Sequence, residues 1–139
     1  MIDGLKPYPE CKDSGVAWLG EVPEQWVVSP VRRLISFVTS GSRGWADFYS
    51  DEGDIFLQSG NLGRSMALNL SFNQRVRPRE GAEGKRTRVE CADLLLCITG
   101  ALTGNVVHVV DELPAPSYVN QHVALIRPNR SAVIPRYLA

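Results

Sequence analysis

The chain lacks the features that would place it in several large classes. It has no apolar run approaching the ~20 residues of a membrane helix, and its N-terminus has no signal-peptide core. No membrane association is therefore expected, and the cytoplasm is the expected compartment. The three cysteines, Cys11, Cys91 and Cys97, include no C-x-x-C pair, and the two histidines, His108 and His122, lie far apart. A structural zinc needs four clustered ligands, so no metal site is expected, and Cys97 reads as a small buried hydrophobe. There is no phosphate loop with its lysine between strand and helix, and no G-x-S-x-G elbow. No catalytic constellation is expected, and the acidic group Asp51, Glu52 and Asp54 reads as solvated loop. Net charge is missing too: 15 Lys and Arg balance 15 Asp and Glu. The total thus says nothing about nucleic acid, and only the distribution of charge can.

What is present fits one folded domain. With 139 residues, 44% hydrophobic and 22% charged, the chain can bury about two thirds of its unfolded surface. The most telling stretch is Asp93 to Gly104, DLLLCITGALTG. Leu94 to Ile98 read as a strand buried on both faces, a Thr-Gly turn follows, and Val106 to Val110 form a second strand. This is the expected core hairpin, with Thr99, Gly100, Thr103, Gly104 and Asn105 at a rigid polar tip.

The other elements follow in order. Residues 1–28 read as an extended arm, with Trp18 and Trp26 as apolar anchors around Gly20 and Pro23. Ser29-Pro30 signals a helix start, and Val31, Leu34, Ile35 and Val38 follow at i, i+3, i+4 and i+7, ending near Gly41. Ser40 to Gly44 form a loop, Trp45 to Gly53 an irregular stretch, and Asp54 to Gln58 a strand. Phe72 to Arg77 alternate as a half-exposed strand, and Gly81 and Gly84 mark a loop. Tyr118 to Arg127 form a further strand, and Pro135 opens a helix. The expected fold class is α+β: a twisted, mainly antiparallel β core, one N-terminal helix and an extended N-terminal arm.

Charge is unevenly spread. Arg75 to Arg88 hold Arg75, Arg77, Arg79, Lys85, Arg86 and Arg88 against Glu80 and Glu83, while Ser29 to Trp45 carry Arg32, Arg33 and Arg43 with no acid. The acids gather at Asp47 to Asp54 and at Asp111-Glu112. Basic segments on a neutral protein can form a phosphate-binding face. Base readout needs Arg, Asn, Gln, Ser or Thr on rigid loops. The loops Ser40 to Trp45, Gln58 to Arg64 and Thr99 to Asn105 supply these, as does Asn120-Gln121, where one of the two could serve only as a cap.

From Gly4 to Phe37 the chain resembles the start of type I restriction-modification specificity subunits. Those often open with an arm like Y-x-x-Y-K-D-S-G-V-x-W-L-G-E-I-P-x-H-W. Lys12, Asp13, Ser14, Gly15, Val16, Trp18, Leu19, Gly20, Glu21, Pro23 and Trp26 match it; Cys11 and Ala17 depart from it. Ser40-Gly41, Asp54 to Gly63, Asp93 to Gly104 and Asn120-Gln121-His122 follow in the family's order. The resemblance implies the first target recognition domain of such a subunit, over residues 29–139. In the family, two such domains each read half of a split duplex DNA target. Spacer helices between them dock methyltransferase subunits that carry S-adenosylmethionine, and a restriction subunit joins to cleave. This chain stops where the first spacer helix is expected, so a half-subunit that forms a homodimer is one expected state.

Residue chemistry and loop placement select Ser42, Arg43, Gln58, Asn61, Arg64 and Thr99 for base or phosphate contact, and Lys85, Arg86 and Arg88 for phosphate. No cofactor is expected on this chain. The competing reading is a protein-docking module using Trp18, Trp26 and the apolar face of the N-terminal helix.

Overall fold

A computed structural model describes residues 6–78 and 81–139. Gly4, where the family resemblance begins, and Arg79 and Glu80 of the basic segment lie outside the described residues. The chain divides into two compact units, Met1–Arg33 and Leu34–Ala139.

The first unit is built on a hairpin. Strands β1 (Cys11–Asp13) and β2 (Glu21–Pro23) pair antiparallel, so this segment is folded back on itself rather than extended. Its local chemistry explains the reversal. Asp13 Oδ1 accepts the Gly15 amide at 2.8 Å, the Ser14 hydroxyl accepts that of Val16 at 3.1 Å, and Gly15 and Gly20 take positive φ. Short polar side chains bonding to their own backbone close such turns. Trp18, read as an anchor, is 85% exposed, and Trp26 packs edge-on against Tyr8 within the unit.

The second unit contains two four-stranded sheets. One has β3 (Ile35–Ser40), β10 (Val123–Pro128), β7 (Leu94–Cys97) and β8 (Val106–His108) in that spatial order, antiparallel throughout. The other has β4 (Tyr49–Ser50), β6 (Gln74–Val76), β5 (Asp54–Leu57) and β9 (Ser117–Val119), with β5 and β9 parallel. Ile55, Leu57 and Val119 meet Leu95, Cys97, Val107, Val123 and Leu125 in one core cluster. Strand alternation sends Phe56 and Tyr118 to the opposite face. There Trp45 covers them, its ring centroid 5.0 Å from that of Phe56 and 5.5 Å from that of Tyr118. Burial raises the Tyr118 hydroxyl pKa, and the nearby Asp54 carboxylate adds to the rise against the opposing pull of Arg88.

The described residues are mainly antiparallel β, with two short helices, α1 (Ala82–Thr87) and α2 (Pro135–Leu138). The core hairpin is present, and Cys97 is fully buried. The helix expected after Pro30 is not. Pro30 opens only one 3₁₀ turn, Val31–Arg33, and the chain then runs as β3. Two of the four residues expected on that helix's apolar face, Val31 and Val38, are more than half exposed. Ile35, Phe37, Val38 and Thr39 are β-branched or aromatic, and pairing with β10 gives their backbone a ladder that a short helix lacks.

Two further expectations are corrected. The single strand over Tyr118 to Arg127 is two strands in different sheets, because Asn120 Oδ1 accepts the His122 amide at 3.0 Å and turns the chain between them. The Gly81 and Gly84 stretch carries α1, with Gly84 buried inside it; glycine propensity hid a helix held by its tertiary contacts.

The ends of the sheets away from the loops are tied by ions. Asp93 is fully buried. Its Oδ1 and Oδ2 each accept a 2.8 Å bond from the Arg127 guanidinium, and Oδ2 also accepts the Glu90 amide at 2.8 Å. These bonds, with the charges of Asp93 and Glu90, raise the Arg127 pKa against its partial burial. Asp93→Ala leaves that guanidinium with the more exposed Glu90 carboxylate, 3.1 Å away, and the Arg88 carbonyl in place of its buried partner. Urea unfolding is expected to show a loss of roughly 3 kcal/mol, at the low end for broken buried pairs because Arg127 keeps some access to water.

Candidate nucleic-acid interface

Strand directions bring the sequence-selected loops to one end of the second unit. Strands β3, β5, β7 and β9 all finish there, and β8 and β10 begin there. The loops that result, 41–45, 58–64, 98–105 and 120–122, are bonded to one another. Gly41 N donates to Asn120 O at 3.1 Å, Asn120 N to Leu57 O at 3.0 Å, and Ile98 N to His122 O at 3.0 Å. The Asn105 carboxamide donates to Leu62 O at 2.8 Å. A Cβ at Gly41 would lie 2.1 Å from Val119 O, so only glycine permits this approach of loop to strand. None of the four loops contains Asp or Glu.

Arg43 and Thr99 are exposed at this end, and Ser42 and Gln58 are partly buried there. Gln58 Nε2 donates to the Tyr49 hydroxyl at 3.3 Å. Arg64 is exposed on a two-residue turn whose central Ser65 and Met66 both have positive φ. This is the mirror-image turn that suits a tight hairpin. Lys85 is exposed on α1.

The remaining three selected residues are placed differently. Asn61 is 2% exposed, and its side chain bonds to the Gln58 amide and to the carbonyls of Asn69 and Phe72. It shapes the loop from inside and cannot reach DNA. Arg88 pairs through its backbone with Tyr118, away from the loop tips. Arg86 bonds inward to the Thr39 hydroxyl, to Ser40 O at 3.0 Å and to Glu83 Oε2 at 2.8 Å.

Glu83 completes that clamp, since its Oε1 accepts the Ser42 amide at 3.2 Å. Helix α1 thereby holds the loop that displays Arg43. Burial alone would raise the Glu83 pKa, but bonds from Arg86 and Ser42, with the Arg86 charge, leave it below its ordinary value. The carboxylate beside the interface is thus already neutralised by an internal partner.

One cluster escaped the sequence reading. His122 Nδ1 lies 2.5 Å from the Thr99 hydroxyl, and His122 Nε2 lies 3.1 Å from Gln121 Nε2. Of the Asn120-Gln121 pair, Asn120 is the buried structural cap and Gln121 is partly exposed. Thr99 and His122 are within reach for a nucleophile and its base. The group facing the other ring nitrogen is the Gln121 amide nitrogen, a donor rather than an acceptor, and Thr99 and His122 are both exposed to water. The cluster is a hydrogen-bonded set of three polar side chains. Only the proximity of residues 99 and 122 across two strands reveals it.

No protein-family model and no curated protein matches the chain. The functional reading therefore rests on this geometry and on the residue pattern.

Among the described residues, no group of three His, Cys, Asp or Glu could hold a metal ion. A groove of about 680 Å³ lies between Arg88–Cys91 and Val109–Ser117, lined by Glu90, Asp111 and Glu112. These carboxylates make it unsuited to phosphate.

The clamp has a pH signature. A carboxyl whose pKa falls on folding stabilises the fold above its unfolded value, here 4.5, and that stability is lost as pH falls through the lower folded value. The stability difference between wild type and Glu83→Gln is expected to be constant above about pH 5.5 and to shrink below about pH 4.5, as followed by thermal unfolding. Its size is under ~1 kcal/mol because the pair is partly exposed.

Proposed function

We propose that this chain is a sequence-reading DNA-binding module of the kind that opens type I restriction-modification specificity subunits. On this reading it recognises one half of a split duplex target and performs no catalysis itself. Methyltransferase subunits carrying S-adenosylmethionine, and a restriction subunit, act on the DNA it selects. The observation that carries the reading is the end of the β domain whose loops contain no carboxylate and whose neighbouring Glu83 is engaged by Arg86 and the Ser42 amide. Four mutually bonded loops there present Arg43, Arg64 and Thr99 outward, with Ser42, Gln58 and Lys85 beside them. Glu90, Asp93, Asp111 and Glu112 lie at the other end, around the start of β7 and beyond the end of β8. Such an arrangement orients a neutral protein on a polyanion without raising its net charge.

Roles follow from chemistry. Arg43, Arg64 and Lys85 are the phosphate partners, whereas Ser42 and Gln58 have the hydroxyl and amide that pair with base edges. Arg86 and Asn61 act indirectly, by holding the loops.

Exposed Trp18 and Val27 of the first unit, at 85% and 88%, favour protein docking as that unit's role. Trp18→Ala is expected to leave duplex affinity unchanged and to weaken association with a methyltransferase subunit in pull-down.

The DNA reading is tested by fluorescence anisotropy on duplex DNA across a salt series. The logarithm of affinity is expected to fall linearly with the logarithm of salt concentration. Replacing Arg43, Arg64 and Lys85 together by Ala should flatten that slope by about 2–3, near 0.9 per lost phosphate contact. Absence of duplex binding at low salt, alone and with methyltransferase subunits, would sink the proposal.

A further inference from the structure

We infer that Gln121 reads an adenine in the major groove, and that His122 and Thr99 are positioning residues which fix its carboxamide. This deepens the DNA-binding reading above and rests on it.

The cluster, with Thr99 and His122 exposed and Gln121 partly so, is firmly held. His122 is pinned through its backbone on both sides: its amide donates to Asn120 Oδ1 at 3.0 Å, and its carbonyl accepts Ile98 N at 3.0 Å. Asn120 is itself 5% exposed, and its amide donates to Leu57 O at 3.0 Å. The imidazole then spans Thr99 and Gln121, at 2.5 and 3.1 Å. A long, flexible glutamine would ordinarily lose rotamer freedom on binding; one already held loses less.

The hydrogen assignment follows from the partners. Gln121 Nε2 can only donate, so His122 Nε2 is the acceptor and the ring proton sits on Nδ1. Nδ1–H then donates to Thr99 Oγ1, and the threonine hydroxyl hydrogen turns outward. Gln121 keeps its Oε1 acceptor and one amide hydrogen. That donor and acceptor pair matches the N6 amino group and N7 of adenine, and no other base presents the pair in the same order in the major groove. Because the loop carries no carboxylate, nothing beside Gln121 repels the flanking phosphates.

The test is selection of duplexes from a random library with the full chain, followed by competition binding with single-base variants. Wild type is expected to select a consensus containing an adenine whose replacement weakens binding roughly 5- to 150-fold, the range for one bidentate contact. Gln121→Ala should abolish that discrimination at this position alone and leave the salt slope unchanged. His122→Ala and Thr99→Val should weaken discrimination at the same position, and Thr99→Ser should restore it. Circular dichroism of each variant should match wild type. If Gln121→Ala keeps the wild-type consensus, or relaxes a position that is not adenine, the inference is overturned and the DNA-binding reading stands. If wild type binds duplexes with no consensus, or binds none, sequence reading itself fails and takes this inference with it.

Discussion

Asn120 is the residue on which the two sheets and their loops depend. Its amide donates to Leu57 O, its carbonyl accepts the amides of Gly41 and Val123, and its side chain accepts the amide of His122. One buried residue thus ties together the ends of β3, β5 and β9 and the start of β10. Each of these groups would be costly to bury without a partner. Between β9 and β10 the chain leaves one sheet and enters the other, and Asn120 satisfies the ladder ends at that crossing. The loops that meet there inherit its rigidity.

Electrostatics then distinguish the two ends. At the far end Asp93 and Arg127 form a two-pronged pair with Glu90 alongside. At the loop end the carboxylate in reach, Glu83, is engaged by Arg86 and the Ser42 amide. The same pairing that stabilises helix α1 against the β3 end keeps negative charge away from Arg43 and Gln121. Structural ion pairs and the proposed binding face are therefore one arrangement, and Arg86, selected from the sequence with Lys85 and Arg88 as a phosphate ligand, is part of the support.

The hairpin of β7 and β8 was legible because contiguous apolar residues bounded by glycines admit few alternatives. The loops at 41–45, 58–64 and 98–105 were legible for the same reason, since Gly, Ser, Asn and Thr mark where regular structure stops, whereas the turn at 120–122 lay inside an expected strand. β3 was not. Val31, Leu34, Ile35 and Val38 have helical spacing, yet their β-branched neighbours and the open edge of β10 favoured a strand. Helix α1 was hidden by its glycine. In the candidate site, Arg43, Arg64, Lys85 and Thr99 were legible as polar or basic side chains outside the apolar strands, although the helix under Lys85 was not. The inward roles of Asn61 and Arg86, and the meeting of Thr99 with His122, were not, since each depends on residues distant in sequence.

Composition and local pattern were enough to establish a β-rich domain with a buried hairpin, several polar loops and segregated charge, because these follow from short-range preferences of single residues. Which loops meet, which cations are spent on internal bonds and which polar side chains remain for a partner were settled by packing. Strand order and register bring Ser40, Leu57, Ile98 and Asn120 to one end, and no local property of those residues encodes that they are neighbours.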